Sequence, residues 1–297
     1  MTSERFEFIR LHTPEYSISE VCRLLDVSPQ GYRKHLKSNM RAPKDAALLA
    51  AIQAILEEDE YNDTYGRERL HDSLVQQGFT VSLSTVYRVC KRHGLLAKKH
   101  RPKGLTKADK ASYKNDDLLK GDFVADAPNQ KLISDITQLP TRDGTLYISG
   151  VFDCYDNQCV GLSMADNMRT ELVIQSLSMA EQNEEIKGAI FHTDRGSQYT
   201  SLDFRSLTEK IEIVQSMSFA GSSCYGNAKC ESMWARMKEE AIYGRYKTAQ
   251  MSMDAVKSLV FRYYMGYWNH RRICHAIGGM APARKRALFY QSQKAVA

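Results

Sequence analysis

The chain has 297 residues, 43% hydrophobic and 26% charged, which fits an ordinary globular protein of about two domains and excludes disordered, collagen-like and disulfide-scaffold classes. No apolar run approaches the roughly 20 residues of a membrane span, and the opening MTSERFEFIR is too charged for a signal-peptide core. Seven cysteines without a CxxC pair point to reduced thiols and a cytoplasmic protein.

The net charge of +6 is unevenly placed. Residues 1–120 carry 21 basic and 16 acidic side chains, residues 121–261 carry 13 and 19, and residues 262–297 carry 7 and 0. An acidic middle between basic flanks suits a polyanion held at the edges and a cation bound in the centre. Solvated charge that serves only solubility is the bland alternative.

In chain order, residues 17–36 (SISEVCRLLDVSPQGYRKHL) have helical spacing in two short segments, with Ile18, Val21, Leu24 and Leu25 on one face. The break falls at Val27-Ser28-Pro29, with Ser28 as the expected N-cap and Pro29 at the first helical position. This is a helix-turn-helix pattern whose second helix, exposing Gln30, Arg33 and Lys34, suits a major groove; a plain αα-hairpin has the same periodicity. Pro43 and its polar neighbours read as a linker to a helix through Ala47, Leu48, Ala51, Ile52, Ile55 and Leu56.

YGRERLHDSLVQQG, a turn at Gly78 and VSLSTVYRVCKRHGL form a second such pattern. Ser82 or Ser84 is its cap, Arg88, Lys91 and Arg92 lie on its later helix, and Gly94 is its C-cap. Residues 84–120 hold 11 basic and 3 acidic side chains, among them Lys98, Lys99, Arg101 and Lys103. The expected organisation is a helix-turn-helix over 1–42, a second helical DNA-binding unit over 43–97, a basic linker over 98–129, a catalytic core over 130–250 and a basic helical extension over 251–297.

From residue 130 the period becomes strand-like: KLISDITQL, TLYISGVFDC and QCVGLSMA, the first two joined at Asp143-Gly144. A helix (171–180), the strand KGAIFHTD, a helix around 204–207, the strand IEIVQSM and a helix beginning near Asn227 follow. The expected class is α/β: a mixed five-stranded sheet with helices on both faces, in the element order of a ribonuclease-H-like nucleotidyl-transferase core, preceded by all-α helix-turn-helix units.

That element order gathers three acids: Asp135 in the middle of the first strand, Asp194 beyond the end of the fourth, and Glu231 near the start of the later helix. Phosphodiester chemistry needs such a cluster. Two Mg²⁺ ions about 3.5–4 Å apart clamp the attacking and leaving oxygens, and Mg²⁺ takes carboxylate oxygens while keeping several waters. Asp153 and Asp156 follow the second strand and serve equally in a motif hunt; the flanks LISDITQL, FHTDRGSQYTS and GNAKCES single out the other three. His192 reads as a packed or hydrogen-bonded structural residue, Tyr199 as a packing or DNA-contacting one, and Cys224 and Cys230 are weak grounds for zinc.

In combination these motifs are distinctive. VSPQGYRKHL, YGRERL…LLAK, the D–D–E set and YWNHRRICHAIGGMAPAR resemble, over nearly the whole chain, the OrfB-type integrase-like transposases of the bacterial insertion-sequence-three family, relatives of retroviral integrases. The resemblance implies strand cleavage and strand transfer at the element's terminal repeats. Asp135, Asp194 and Glu231 would be catalytic and would hold Mg²⁺, with Mn²⁺ as a substitute. Lys238, two turns beyond Glu231 on the same helix face, matches the family's DNA-contacting basic residue.

Gln30, Arg33, Lys34, Arg88, Lys91, Arg271 and Arg272 are the further DNA candidates, with Arg284, Lys285 and Arg286 beside them. The implied partners are terminal-repeat and target DNA, further copies of the chain on DNA, and an OrfA-type upstream product or frameshift fusion; the implied location is the bacterial cytoplasm, at the nucleoid. Two departures stand out. There are 36 residues between Asp194 and Glu231 where the family has 35, and Gly226-Asn227-Ala228 replaces Asp-Asn-Ala, leaving Asn227 as the expected cap.

Overall fold

The computed structural model describes residues 2–12, 16–40, 45–97, 116–218 and 227–296. By compactness the chain divides once, into Met1–Ala54 and Ile55–Ala297.

In the first unit, α1 (Thr2–His12), α2 (Ile18–Leu24) and α3 (Pro29–Met40) close on Phe6, Ile9, Val21, Cys22 and Tyr32. The turn before α3 has Asp26 at φ 51°, and the Ser28 hydroxyl accepts from the Gly31 N–H at 3.3 Å. The apolar face differs from the one read in the sequence. Val21 and Cys22 are buried whereas Ile18 and Leu24 are exposed, because α1, which the spacing does not announce, covers the neighbouring stripe. Helix α4 (Ala46–Glu57) contains the division between units.

The second unit begins with α5 (Arg67–Gln76) and α6 (Leu83–Arg92). Ser82 caps α6, its side chain accepting from the Thr85 N–H at 3.3 Å. A five-stranded sheet follows, built from β1 (Lys131–Thr141), β2 (Gly144–Asp153), β3 (Cys159–Ala165), β4 (Ile190–Thr193) and β5 (Val214–Met217) in the order β3-β2-β1-β4-β5. β1–β2 and β2–β3 are antiparallel, β1–β4 and β4–β5 parallel. The hairpin turn sits one residue earlier than expected: Thr141 pairs with Gly144, and the Thr141 hydroxyl donates to the Gly144 carbonyl at 2.7 Å.

Two glycines show why helices can lie on both faces. A Cβ on Gly161 would come within 2.1 Å of the Ser176 carbonyl in α7 (Thr170–Asn183), and one on Gly150 within 2.8 Å of Trp234 in α10 (Ala228–Met237). Gly161 pairs with Val151, so Gly150, the next residue along, faces the opposite side. Between α7 and α10 the chain forms α8 (Ser197–Thr200) and α9 (Leu202–Lys210). The core under α7 and α9 includes Leu132, Val173, Leu177, Phe191 and Phe204.

After α10 the chain continues through a π-helical turn (Lys238–Ile242), α11 (Met253–Phe261), a second π-helical stretch (Arg262–Trp268) and α12 (Pro282–Val296). Residues 55–97, read from the sequence as part of a separate unit, pack with this C-terminal segment. Tyr61 lies 4.8 Å centroid-to-centroid from Tyr267, the Tyr267 hydroxyl donates to Asn62 Oδ1 at 3.1 Å, and the Ile273 N–H donates to the Tyr65 hydroxyl at 3.1 Å. Among the described residues no helix is long and apolar enough to cross a membrane.

Candidate active site

β1 and β4 pair as far as Ile133 opposite His192. Asp135 and Asp194 each stand two residues beyond that pair, so the parallel register carries both carboxylates to the same end and face of the sheet centre. Asp135 is half-buried and Asp194 sits at an exposed rim; Asp194 Oδ1 accepts the Gly196 N–H at 2.9 Å. Glu231 is exposed in the first turn of α10. That helix is tied to β1 next to Asp135: Asn227 Nδ2 donates to the Ser134 carbonyl at 3.0 Å. Asn227 therefore bridges helix to strand, and its side chain makes no cap hydrogen bond, unlike the role expected from sequence.

The electrostatics record the convergence. The Asp135 carboxyl is pushed up to about 7, first by burial, then by repulsion from Asp194 and, more weakly, Glu231, against the opposing Ile136 N–H and Trp234 indole. Although its residue reaches the rim, the Asp194 carboxyl is also raised by loss of surrounding solvent, with the Gly196 N–H resisting. Lys238 is half-buried; burial lowers its pKa while the negative charge of Asp135 raises it. The sheet and α10 thus bring Asp135, Asp194, Glu231 and Lys238 into one field.

The donor set is chemically suited to a hard divalent cation, which offsets the mutual repulsion of carboxylates that prefer to share protons. As the side chains stand, no three His, Cys, Asp or Glu residues among those described form a ready-made cage. The oxygen chemistry of the three acids fits such an ion.

The competing acids have other partners. Asp153 and Asp156 are fully buried around Arg286 of α12, whose Nε donates to Asp156 Oδ2 at 2.7 Å, with Asp153 and Glu184 also paired to it. Arg286 is therefore a structural cation, and not the phosphate contact read from the sequence. The same correction applies to Arg272, which is 2% exposed: its guanidinium is committed to Glu240 and stacks over Trp268 at 4.4 Å. Lys285 donates to the Tyr155 carbonyl at 2.7 Å. Arg271 pairs with Asp59 at 2.9 Å while staying half exposed, and Arg284 is exposed.

Gln30, Arg33 and Lys34 are exposed on α3, and Arg88 and Lys91 on α6. His192 and Tyr199 are buried; His192 Nδ1 meets Ser216 Oγ at 2.9 Å and the Tyr199 hydroxyl meets Ser134 Oγ at 3.0 Å, so both pack beside the site. Cys230 is buried and its thiol pKa is driven well up by that burial. Cys224, the loop with the extra residue, and Lys98, Lys99, Arg101 and Lys103 lie outside the described residues. Sequence reasoning missed Glu240 and Trp234. Glu240 is one acid among 35; a hint of Trp234 existed in Gly150, since a glycine inside a strand marks close approach of another group.

Residues 125–223 match the family described as Integrase core domain, and residues 43–103 the one described as HTH-like domain. The chain is 33% identical over 293 residues to Transposase InsF for insertion sequence IS3A of Escherichia coli (strain K12), covering 94% of this chain and 96% of that protein. It is 29% identical to an uncharacterized 31 kDa protein of insertion element IS600 from Shigella sonnei, covering 91% and 99%. Among solved structures, a chain of the simian T-cell lymphotropic virus intasome in complex with PP2A regulatory subunit B56 gamma aligns over 74% of each chain at 14% identity and TM-score 0.45. The HTLV-2 integrase catalytic core domain in complex with magnesium aligns over 54% of this chain and 97% of its own at 14% identity and TM-score 0.42.

Proposed function

Because this chain belongs to the transposases of the insertion-sequence-three family, we propose that it cuts and joins DNA at the ends of its element through Asp135, Asp194 and Glu231. The observation that carries this reading is the parallel β1–β4 register, which sets Asp135 and Asp194 at the same end and face of the sheet, beside the helix of Glu231 tied to β1 by Asn227. Asp135 and Asp194 would flank the metals and Glu231 would complete the second position. Bound Mg²⁺, or Mn²⁺ in its place, supplies an activated water and charge stabilisation on the phosphate.

The remaining work belongs to the protein. Asn227 holds the Glu231 helix against β1, and Lys238 presents a cation within the field of Asp135, suited to a DNA phosphate near the reacting one. Gln30, Arg33, Lys34, Arg88 and Lys91 are exposed on helices suited to terminal-repeat recognition, where phosphate contacts fix register and a few side chains read bases. Arg271 and Arg284 are the C-terminal candidates for backbone phosphate. The proposed setting is the bacterial cytoplasm at the nucleoid, with copies of the chain assembling on paired ends and an OrfA-type product as partner or fused segment.

The test is incubation of labelled linear element ends with the protein and Mg²⁺, scored for cleaved and for joined products. Joined products support the transposase reading, cleavage alone reduces the protein to a nuclease, and neither product removes the catalytic reading in favour of a DNA-binding partner.

A further inference from the structure

Trp234 lies three residues beyond Glu231, on the face of α10 that meets the sheet. Its ring sits over Gly150, the residue paired directly with Asp135 across β1 and β2. Edge contacts with Phe152 (5.4 Å, 79°) and Tyr264 (5.6 Å, 88°) fix the ring plane. The side chain is 4% exposed, and its buried Nε1 completes no hydrogen bond. The other tryptophan, Trp268, donates to the Asn157 carbonyl at 2.8 Å. A buried indole N–H normally has an acceptor, so the orphan at Trp234 asks for one.

We infer that Trp234 is a positioning residue for Asp135, its indole N–H donating to the carboxylate oxygen turned away from the bound cation. The inference rests on Asp135 being a metal ligand, as proposed above. The indole N–H lies close to the Asp135 carboxyl without completing a hydrogen bond to it. A carboxylate that ligates a cation through one oxygen keeps its other oxygen free to accept the N–H. Donors of this kind fix ligand orientation, and their loss typically weakens metal affinity 10- to 100-fold. Gly150 completes the device, because a side chain there would displace the ring.

The experiment uses full-length protein labelled with ¹⁵N at its two tryptophan indoles, titrated with Mg²⁺ and assigned with Trp268→Phe. The Trp234 indole proton should move downfield while that of Trp268 stays in place. By calorimetry, Trp234→Phe, which keeps the ring contacts, should raise the Mg²⁺ dissociation constant about tenfold with a nearly unchanged unfolding midpoint. A stationary Trp234 signal in protein that binds Mg²⁺, or wild-type affinity in Trp234→Phe, overturns the inference; the wild-type spectrum decides even where the variant does not fold. Asp135→Asn separates the levels. If Mg²⁺ binding survives Asp135→Asn, the metal-site reading itself falls and takes this inference with it. If Asp135→Asn abolishes binding but Trp234→Phe does not weaken it, only the positioning role falls.

Discussion

Arg272 grips Glu240 with two hydrogen bonds, Nε donating to Oε2 at 2.8 Å and Nη2 to Oε1 at 2.7 Å, where neither side chain is more than 4% exposed. Arg69 and the Tyr263 hydroxyl add donors at 3.0 and 2.7 Å. Removing one partner of a buried pair strands the other charge. Arg272→Ala is therefore expected to lower unfolding stability by about 3–5 kcal/mol in urea titrations. Exposed Arg284→Ala should stay within about 0.5 kcal/mol and weaken DNA binding instead.

The same cluster sets an acid limit. Burial alone would raise Glu240, but Arg272 and Arg69 outweigh it and hold the carboxyl at about 2, below the usual 4.5. A depressed carboxylate stabilises the fold fully above pH 4.5, and that contribution disappears as pH falls toward 2. The stability advantage of wild type over Glu240→Gln should shrink by on the order of 3 kcal/mol across that window. A difference that is constant with pH would show the carboxylate to be unshifted.

Asp135→Asn and Asp194→Asn keep side-chain size while weakening cation ligation. Each should reduce Mg²⁺-dependent cleavage by at least about a hundredfold with little change in a DNA gel shift. Cleavage at the wild-type rate by either variant would take that acid out of the mechanism.

Gly150→Ala puts a methyl 2.8 Å from Trp234 and 2.9 Å from Phe152. Overpacking of this kind costs about 1–3 kcal/mol. Denaturant unfolding measures the loss, and the near-ultraviolet circular dichroism of Trp234 should change with it; an unaltered spectrum at unaltered stability would show that the ring has room to move.

DNA affinity should fall steeply with salt, each neutralised phosphate adding about −0.9 to the slope of log K against log salt. Replacing Arg88 and Lys91 together with Ala should make that slope shallower by about 1.8. An unchanged slope would place phosphate binding elsewhere.

The strands and several helix starts are legible because alternation and capping act locally: Ser28 and Ser82 sit where a cap belongs and receive the expected N–H groups. The meeting of Asp135 with Asp194 was legible only through topology, since a parallel β1–β4 pair joins residues 59 positions apart. Side-chain commitments were not legible. Arg272 and Arg286 look in sequence like solvated cations for phosphate, and only the fold reveals the carboxylates that claim them. The position of Asn227 relative to α10 suits a cap, but the nearer demand comes from a carbonyl on β1.

The stitching of residues 55–97 to the C-terminal segment has a practical bearing on chimeras. Tyr65, Arg69 and Asp72 are matched to the Ile273 N–H, Glu240 and His275, so transplanting residues 55–97 from a relative without their counterparts leaves polar groups of the recipient orphaned. Hybrids that exchange both stretches together should express and fold, and hybrids that exchange one should not.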